Sequence, residues 1–507
     1  MSLIGIDIGT SAVKAAAYSH EGGLLTVTRQ DLTPQHPQPG WWEQNPSEVW
    51  QATVNCLQSL MSGDQVWDDP PEAIAISASG RENFPVDAQG HPLGPCLIGA
   101  DIRGEEFEIV PEGASTPELW TLSCGHQRER MDPIFRLMWW RKNHPDVLAT
   151  TRYFLGWHDF LTLRLAGEAV TDHASASRYL VYDLASGGWA PERLAEYAIE
   201  ESLLPRILPW GTVIGEVMPA VADEVGLPRG VKLAVGCHDS NAAALGAGVS
   251  QAGDAALACG SFENMVIPTD TLPTAELLHY GLSFMPHPGE TKLAVISVSP
   301  TGNAIMNWVR QLLHLPVEAL DEQMENSGPE PSPVIAVPYL SGSMLYWEGG
   351  RRAKGALAGL TLATTALDLA KAFLESIAYE HINTLAVLGE QGTTVQRIRA
   401  TGGGARSIWW TQLKADILGV PIEVVDQPEP GTLGAALLAG KAIGAIDDLT
   451  ARGKALAGTG RRHDPNPARA ALHQERIAMY RELVPTLLST VYADDSSVSS
   501  GERLGRT

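Results

Sequence analysis

The feature that most constrains the fold of this chain is a strand–turn–strand pattern that occurs at its start and returns near its midpoint. Residues 3–8 form a short apolar run, a Gly-Thr-Ser turn follows, and residues 13–18 form a second apolar run. The same order of strand, turn and strand returns at residues 254–259, 260–261 and 264–267. One such unit is common by chance, so the repeat favours a duplicated domain only together with further motifs.

The length of the chain agrees with two domains. Its 507 residues exceed one ordinary core, since domains typically hold about 100 to 200 residues. Helical and strand patterns alternate, which predicts an α/β protein. The predicted helices lie at 46–61, 133–143, 406–418 and 434–440, with a long helix capped by Asp368, and further strands at 24–28, 73–78, 231–237 and 398–401.

The charge balance excludes several partners. With 36 basic and 59 acidic residues the formal net charge is −23, and no run of five basic residues occurs. Nucleic acids and anionic membranes need clustered Lys and Arg, so neither is expected as a partner. Five cysteines without a CxxC pair, and the absence of a signal-peptide pattern or an 18-residue apolar run, predict a cytoplasmic protein with free thiols.

The first motif with chemical meaning follows the first strand. Asp7 ends that strand, and a carboxylate there can bind Mg²⁺ through water. Gly9 lets the turn approach a phosphate closely, and the amides and hydroxyls of Thr10 and Ser11 can donate to its oxygens, with Lys14 just beyond. A hairpin turn with an exposed Asp is the alternative.

Two later motifs also follow strands. Asp239 ends the strand at 231–237, where a carboxylate can take up a proton, or simply cap the next helix. Three glycines at 402–404 stand between a strand and a helix, where a base or phosphate can lie against the backbone. A plain tight turn is the alternative there. No GxGxxG and no GxxxxGK[ST] motif occurs, which disfavours dinucleotide-binding and P-loop folds.

A fourth motif contains Arg81 and Glu82, at the end of the strand 73–78, and is followed by Asp101. Arginine donates and carboxylates accept hydrogen bonds, as recognition of vicinal hydroxyls requires. These side chains are also ordinary surface residues, so a polyol site and a solvated surface remain alternatives.

Five segments in order resemble the FGGY carbohydrate kinases, relatives of actin and the heat-shock chaperones. They are DIGTSAVK, HPQPGWWEQNPSEVW, GCHDSNAAALGAG, GALAGLTLATTALDLAKAFLESIAYE and TGGGARSIWWTQLKADILGVP, and the resemblance runs from Leu3 to about Leu483. It implies two ribonuclease H-like (actin-like ATPase) α/β domains with a catalytic cleft between them. The implied domains are a sugar-binding domain at 1–248, an ATP-binding domain at 249–483 and a polar tail at 484–507.

The resemblance also implies roles for individual residues. Asp239 matches the catalytic base, and Asp7 and Asp239 would flank Mg²⁺. The residues implied to bind ATP are Thr10, Ser11, Lys14, Gly260, Ser261, Asn303, Asn307, Gly403, Gly404 and Ser407. Those implied to bind the acceptor are Arg81, Glu82, Asp101, His238 and Asp239.

The implied function is ATP-dependent phosphorylation of a terminal hydroxyl of a sugar or polyol, with ATP and Mg²⁺ as cofactors and a homodimer as the expected assembly. A ketopentose such as xylulose is the favoured acceptor. Arg81-Glu82 resembles glycerol kinase, whereas His238-Asp239 and Gly260 to Glu263 resemble deoxyhexulose kinases. Deoxyhexulose, glycerol or a tetritol, and gluconate therefore stay open as acceptors. A non-kinase actin-like ATPase or a sugar sensor is less favoured.

Overall fold

The computed structural model describes residues 1–63, 66, 68–99, 101–108, 117–129, 131–314, 316, 319–345 and 352–490, with the side chains of 117–120 left aside. The helices are α1 Pro46–Met61, α2 Pro117–Cys124, α3 Pro133–Asn143, α4 Pro145–Thr150, α5 Trp157–Ala166, α6 His173–Ala176, α7 Pro191–Glu196, α8 Pro219–Val225, α9 Asp239–Gly246, α10 Ala275–His279, α11 Gly302–Leu313, α12 Ala319–Asn326, α13 Ala366–Glu390, α14 Ile408–Leu418, α15 Pro430–Ala442, α16 Leu449–Ala457 and α17 Pro467–Thr490. Short 3₁₀ helices lie at Glu105–Phe107, Ser177–Tyr179, Glu201–Leu203 and Gly404–Arg406.

The strands are β1 Ser2–Ile8, β2 Ala12–Ser19, β3 Leu24–Asp31, β4 Glu43–Gln44, β5 Pro71–Ala78, β6 Phe84–Val86, β7 Cys96–Leu97, β8 Tyr153–Leu155, β9 Val170–Thr171, β10 Tyr182–Asp183, β11 Gly188–Trp189, β12 Arg206–Ile207, β13 Val213–Glu216, β14 Lys232–His238, β15 Asp254–Cys259, β16 Glu263–Thr269, β17 Ser283–Pro286, β18 Leu293–Ser299, β19 Ile335–Val337, β20 Ala356–Ala358, β21 Arg397–Thr401, β22 Ile422–Val424 and β23 Arg462–His463.

The two large sheets have the same arrangement of six strands, and the second sheet has one additional edge strand, β17. The first has the order β13-β14-β5-β1-β2-β3 and the second the order β17-β18-β16-β15-β21-β22-β23. In the first sheet β1 pairs antiparallel with β2 and parallel with β5, which pairs parallel with β14. In the second, β15 pairs antiparallel with β16 and parallel with β21, which pairs parallel with β22. The predicted duplication is therefore confirmed.

Most predicted elements agree with the structure to within a few residues, and three helix starts differ. The helix predicted at 434–440 begins earlier, at Pro430, and ends at Ala442. The predicted cap Asp368 is wrong, because α13 begins after Thr365, whose side chain accepts from the main-chain N–H of Asp368. The Asp368 carboxylate in turn accepts from the N–H of Thr365, and together the two residues form a capping box. The helix predicted from residue 406 starts at Ile408, after Ser407 as the cap.

The small-residue helix α15 connects the two halves. It follows the second half in sequence, yet it packs on β1, β5 and β14 of the first sheet and on α9. A Cβ on Gly5 would overlap the main-chain oxygen of Thr432, and a Cβ on Gly434 would overlap that of Ala242. Close backbone approach therefore requires glycine at both positions.

The ends of the chain and its boundaries complete the fold. Residues 484–490 of the predicted tail belong to α17, and residues 491–507 lie outside the described residues. The predicted domain boundaries stay predictions. All five cysteines are buried and free. Within the described ranges, no helix combines the length and the apolar character needed to cross a membrane.

Candidate active site

Adjacent parallel strands bring the carboxylates of the first half together. Asp7 on β1 pairs with Ser77 on β5, which pairs in turn with Cys237 on β14, so Asp7 and Asp239 lie at the same edge of the sheet. The Ser77 hydroxyl donates to Asp7 Oδ1 at 2.6 Å. Burial raises the pKa of Asp7 to about 6, and the negative charge of Asp239 adds to the increase although Ser77 opposes it.

Asp239 is the first residue of α9, and its carboxylate is partly exposed. Its side chain is 41% exposed, and Oδ1 lies 2.9 Å from His238 Nδ1. Burial would raise the pKa of Asp239, but His238 and hydrogen bonds from Ser240 outweigh it, and the pKa lies below its ordinary value. The helix-cap position itself is held by His238, because α9 begins at Asp239, and the Ser240 N–H lies 2.5 Å from Asp239 Oδ1 and 3.3 Å from His238 Nδ1. The Asp239 carboxylate is thus ionised at neutral pH.

The turn after β1 presents its polar groups to solvent. Thr10 and Ser11 are exposed, and the Gly9 N–H donates to the oxygen of Ala12 at 3.0 Å. The Gln44 amide donates to the Thr10 oxygen at 2.7 Å, which fixes the turn against β4. The hydroxyls of Thr10 and Ser11 are therefore accessible to a phosphate.

Lys14 reaches across to the second half of the sequence. Its Nζ donates to Glu429 Oε2 at 2.6 Å, and both side chains are about a quarter exposed. Glu429 precedes α15, and a Cβ on Gly431 in the first turn of that helix would lie 3.1 Å from the Asp7 carboxylate. Glycine at this position leaves room beside Asp7.

The equivalent turn of the second half lies at the N-terminus of α11. The oxygens of Gly260 and Ser261 accept from the N–H groups of Asn303, at 2.9 Å, and of Ala304, at 3.2 Å. Gly260 and Ser261 are exposed, as the corresponding residues of the first half are. The turn is therefore held in place by backbone bonds while its hydroxyl remains available.

The glycine motif after β21 lies beside the same helix. Gly402 has φ +87°, and a side chain there would meet the oxygen of Cys259 at 2.8 Å, so this turn requires glycine. A Cβ on Gly403 would lie 3.6 Å from Asn303 Nδ2, which places those two predicted nucleotide residues together. Gly404 is buried and its backbone packs on the Cys259 side chain.

The other two predicted nucleotide residues are engaged locally. Ser407 caps α14 by accepting from the Trp410 N–H, and its hydroxyl donates to Asp321. Asn307 is exposed one turn after Asn303, and its oxygen accepts from Arg310. These contacts leave their predicted role towards ATP untested.

Residues of both halves line a cleft of about 350 Å³. Its lining comprises Asp7, Ile8, Gly9, Lys14, Asp239, Ser240, Ala243, Ala244, Ala256, Ala258, Asn264, Val266, Thr401, Gly402, Pro428, Glu429, Pro430 and Gly431. In the described ranges no cluster of three or more His, Cys, Asp or Glu side chains could hold a metal ion. The two facing carboxylates still suit Mg²⁺, which binds through one or two carboxylates together with phosphate and water oxygens. A divalent cation would also relieve the repulsion from Asp239, which adds to the burial that raises the pKa of Asp7.

Arg81 and Glu82 of the predicted acceptor motif are held by buried partners. Arg81 makes two hydrogen bonds to Glu129, at 2.6 and 3.2 Å, and an ion pair with Asp132 at 3.2 Å. Glu82 is buried and accepts from the Ser79 hydroxyl. Arg81 is only 14% exposed, so its guanidinium is oriented before any ligand arrives.

Asp101 does not face the cleft. Its side chain is fully buried, and its oxygens accept from Arg103 and from the main-chain N–H of Trp42 at 2.6 Å. Arg103 also bonds Glu43. The contacts of Asp101 therefore position the segment around Trp42, and contact with an acceptor stays a prediction.

Several residues of the site escaped the sequence analysis. Ser77, Ser240, Asn264 and Glu429 contact the predicted residues or line the cleft, and Glu129 and Asp132 hold Arg81. Glu429 alone carried a signal, as an acidic residue directly before a Pro-Gly helix start.

Strand-end carboxylates, a cleft and glycine turns on two duplicated domains define a phosphoryl-transfer enzyme. The N-terminal domain of the FGGY family of carbohydrate kinases matches residues 2–246, and the C-terminal domain of that family matches residues 287–443. The chain therefore belongs to the FGGY family of carbohydrate kinases. The predicted two-domain actin-like fold and the predicted sugar kinase class are thereby confirmed.

Individual relatives cover almost the whole chain. The xylulose kinase of Escherichia coli (strain K12) is 28% identical over 491 residues, which is 96% of this chain and 99% of that protein. The probable L-xylulose kinase of Pasteurella multocida (strain Pm70) is 26% identical over 493 residues, 96% and 98% of the two chains. The crystal structure of xylulose kinase from Rhodospirillum rubrum matches with a TM-score of 0.87 at 27% identity, over 96% of this chain and 99% of that one.

Proposed function

We propose that this kinase transfers the γ-phosphoryl group of ATP to a terminal hydroxyl of a ketopentose such as xylulose, and that Asp7 and Asp239 are the residues that would hold Mg²⁺. The observation that carries the proposal is the shared cleft, which combines both carboxylates with Gly402 of the second half. Phosphoryl transfer asks a protein mainly for alignment and charge neutralisation, and this cleft offers both.

We assign the following roles in the reaction to residues of the chain. Asp239, ionised at neutral pH, accepts the proton of the acceptor hydroxyl as that oxygen attacks phosphorus. Lys14 and the exposed hydroxyls of Thr10 and Ser261 donate to phosphate oxygens from the two opposed turns. Asp7 and Asp239 would hold Mg²⁺, which would neutralise phosphate charge. Asn303 and Gly403 form one side of the nucleotide site.

The acceptor is proposed on two grounds. The xylulose kinases that cover nearly the whole chain support a ketopentose. Arg81, fixed between Glu129 and Asp132, supports recognition of adjacent hydroxyls, and this feature keeps glycerol or a tetritol as the second candidate. Both candidates carry a hydroxyl at a chain terminus, which is the group that the proposed transfer needs.

A coupled ADP-release assay tests the proposal with pentuloses, deoxyhexuloses, glycerol, tetritols and gluconate. We expect the highest kcat/KM with a ketopentose, and a tetritol or glycerol optimum would transfer the assignment to the second candidate. ATP hydrolysis that no acceptor stimulates would contradict the proposed function.

A variant of Asp239 tests the mechanism. Asp239→Asn should lower kcat by about 10²- to 10⁴-fold, the usual contribution of a general base, and leave ATP binding measurable. Asp223→Asn is a suitable control, because Asp223 is 62% exposed and pairs with Arg229 on the surface. Normal turnover by Asp239→Asn would remove Asp239 from the mechanism.

A further inference from the structure

A buried arginine of the first half bonds an edge strand of the second half. Arg178 lies in the 3₁₀ helix Ser177–Tyr179 and is 2% exposed. Its Nη2 donates to the main-chain oxygen of Phe284 at 2.6 Å, and Nη1 donates to Ser283 Oγ at 3.3 Å. Both acceptors belong to β17, the edge of the second sheet. The guanidinium group therefore links the first half to the edge strand of the second sheet through two hydrogen bonds.

The contact at β17 has a second component. The Phe284 N–H donates to the oxygen of Gly125 at 2.6 Å, so both main-chain polar groups of Phe284 are bound by residues of the first half. A side chain on Gly125 would meet the Phe284 oxygen at 3.0 Å, which shows how closely the two backbones approach. Phe284 is fully buried. This segment of β17 is thus fixed to the first half at a defined distance.

The other side of Arg178 contacts the acceptor motif. A Cβ on Gly80 would lie 2.9 Å from Arg178 Cγ and 3.0 Å from His238 Cδ2. The neighbouring Tyr179 hydroxyl accepts from Asn83 Nδ2 at 2.7 Å. One short segment therefore connects residues 80–83 and His238, beside the base Asp239, to the second half.

Burial of this guanidinium is energetically costly, which suggests that it has a specific task. Burial lowers the pKa of Arg178 to about 10, and the positive charge of Arg81 adds to the decrease. Its hydrogen bonds offset part of the desolvation, because a buried charge needs satisfied donors. An apolar side chain could fill the space, but it could not bind the Phe284 oxygen.

We infer that Arg178 is a positioning residue that fixes the acceptor motif of the first half relative to the nucleotide-binding half through β17. The inference rests on the proposed function, since it needs the acceptor beside residues 80–83. A misplacement of about 1 Å between acceptor hydroxyl and phosphorus can lower a rate by about 10²-fold. Loss of the link should therefore reduce kcat, while the KM for ATP should stay unchanged, because the residues proposed to bind ATP include neither Arg178 nor any residue of β17.

The kinetic test compares two buried arginines of the first half. Arg178→Lys keeps the positive charge but cannot make both hydrogen bonds to Ser283 and Phe284 in the geometry of a guanidinium. This variant should lower kcat by about 10- to 100-fold, with the KM for ATP unchanged within twofold. Arg193→Lys is the matched control, because Arg193 is also buried and donates to the oxygen of Leu180 within the first half, at 2.8 Å. Equal kcat values for the two variants would overturn the inference.

A second measurement is independent of activity. Hydrogen–deuterium exchange of peptides that contain residues 283–286 should accelerate in Arg178→Lys and remain unchanged in Arg193→Lys. If Arg178→Lys does not fold, Ser283→Ala removes one of the two hydrogen bonds and should lower kcat by about threefold. A wild-type enzyme that phosphorylates no acceptor would refute the proposed function, whereas unchanged exchange in Arg178→Lys would refute the link itself.

Discussion

A buried ion network next to the turn Gly260-Ser261 gives the most quantitative prediction. Glu263 begins β16 directly after Phe262 and is fully buried. One of its oxygens accepts from Lys414 and the other from His381 Nε2, the latter at 2.7 Å. Burial would raise the pKa of Glu263, but the Lys414 and His381 charges and hydrogen bonds outweigh it and lower the pKa from 4.5 to about 2.

The pKa shift gives the size and sign of the effect. A decrease of about 2.5 pH units corresponds to about 3 kcal/mol, at about 1.4 kcal/mol per unit. Because the folded pKa is depressed, this stabilisation is fully present above pH 4.5 and is lost as the pH falls towards 2. Removing one partner of a buried ion pair costs about 3 to 5 kcal/mol in general. The two figures agree.

The variant Glu263→Gln should therefore lower the free energy of unfolding by about 3 kcal/mol at pH 7, measured by urea titration with circular dichroism. Its deficit against wild type should shrink as the pH falls from 5 to 3. Glu216→Gln is the control, because Glu216 and its partner Lys232 are 58% and 40% exposed, and such pairs contribute below about 1 kcal/mol. A deficit for Glu263→Gln below 1 kcal/mol, or one that does not change with pH, would refute this account.

Three further variants test the packing and the site. Gly434→Ala should lower the free energy of unfolding by about 1 to 3 kcal/mol in urea titration, because its Cβ would overlap α9. Gly389→Ala is the control, since a Cβ there has open space and should not lower the free energy of unfolding. Equal free energies of unfolding for the two variants would contradict the close packing of α15 on α9. Asp7→Asn should raise the Mg²⁺ concentration for half-maximal turnover by at least about 10-fold, and an unchanged Mg²⁺ titration would exclude Asp7 as a ligand. Ser407→Ala should lower the free energy of unfolding by about 1 kcal/mol through loss of a helix cap, and an unchanged KM for ATP would contradict its predicted nucleotide contact.

The fold was predictable where the deciding contacts are local. Helix α1 starts and ends at the predicted residues, since Asn45 caps it, Pro46 opens it and its apolar residues have helical spacing. The cap of α13 was misassigned because Thr365 and Asp368 form a reciprocal pair, in which either residue could be the cap. The partner of α15 was not predictable, because the strands it covers end between 192 (430 − 238, for β14) and 422 (430 − 8, for β1) positions before the helix begins.

The same distinction between local contacts and contacts distant in sequence applies to the candidate site. Asp7 is the last residue but one of β1, and Asp239 and the glycines at 402–404 directly follow β14 and β21, so their place at a sheet edge is set by neighbours in sequence. The partner of Arg81 is different: Glu82 is adjacent, yet Arg81 bonds Glu129, 48 positions away. The chain has 59 acidic residues, and the sequence pattern does not indicate which of them pairs with Arg81. Only the tertiary fold brings Glu129 within hydrogen-bond distance of Arg81. Residues that orient a site from a distance, such as Glu129 and Arg178, therefore need coordinates to be found, whereas residues placed at strand ends do not.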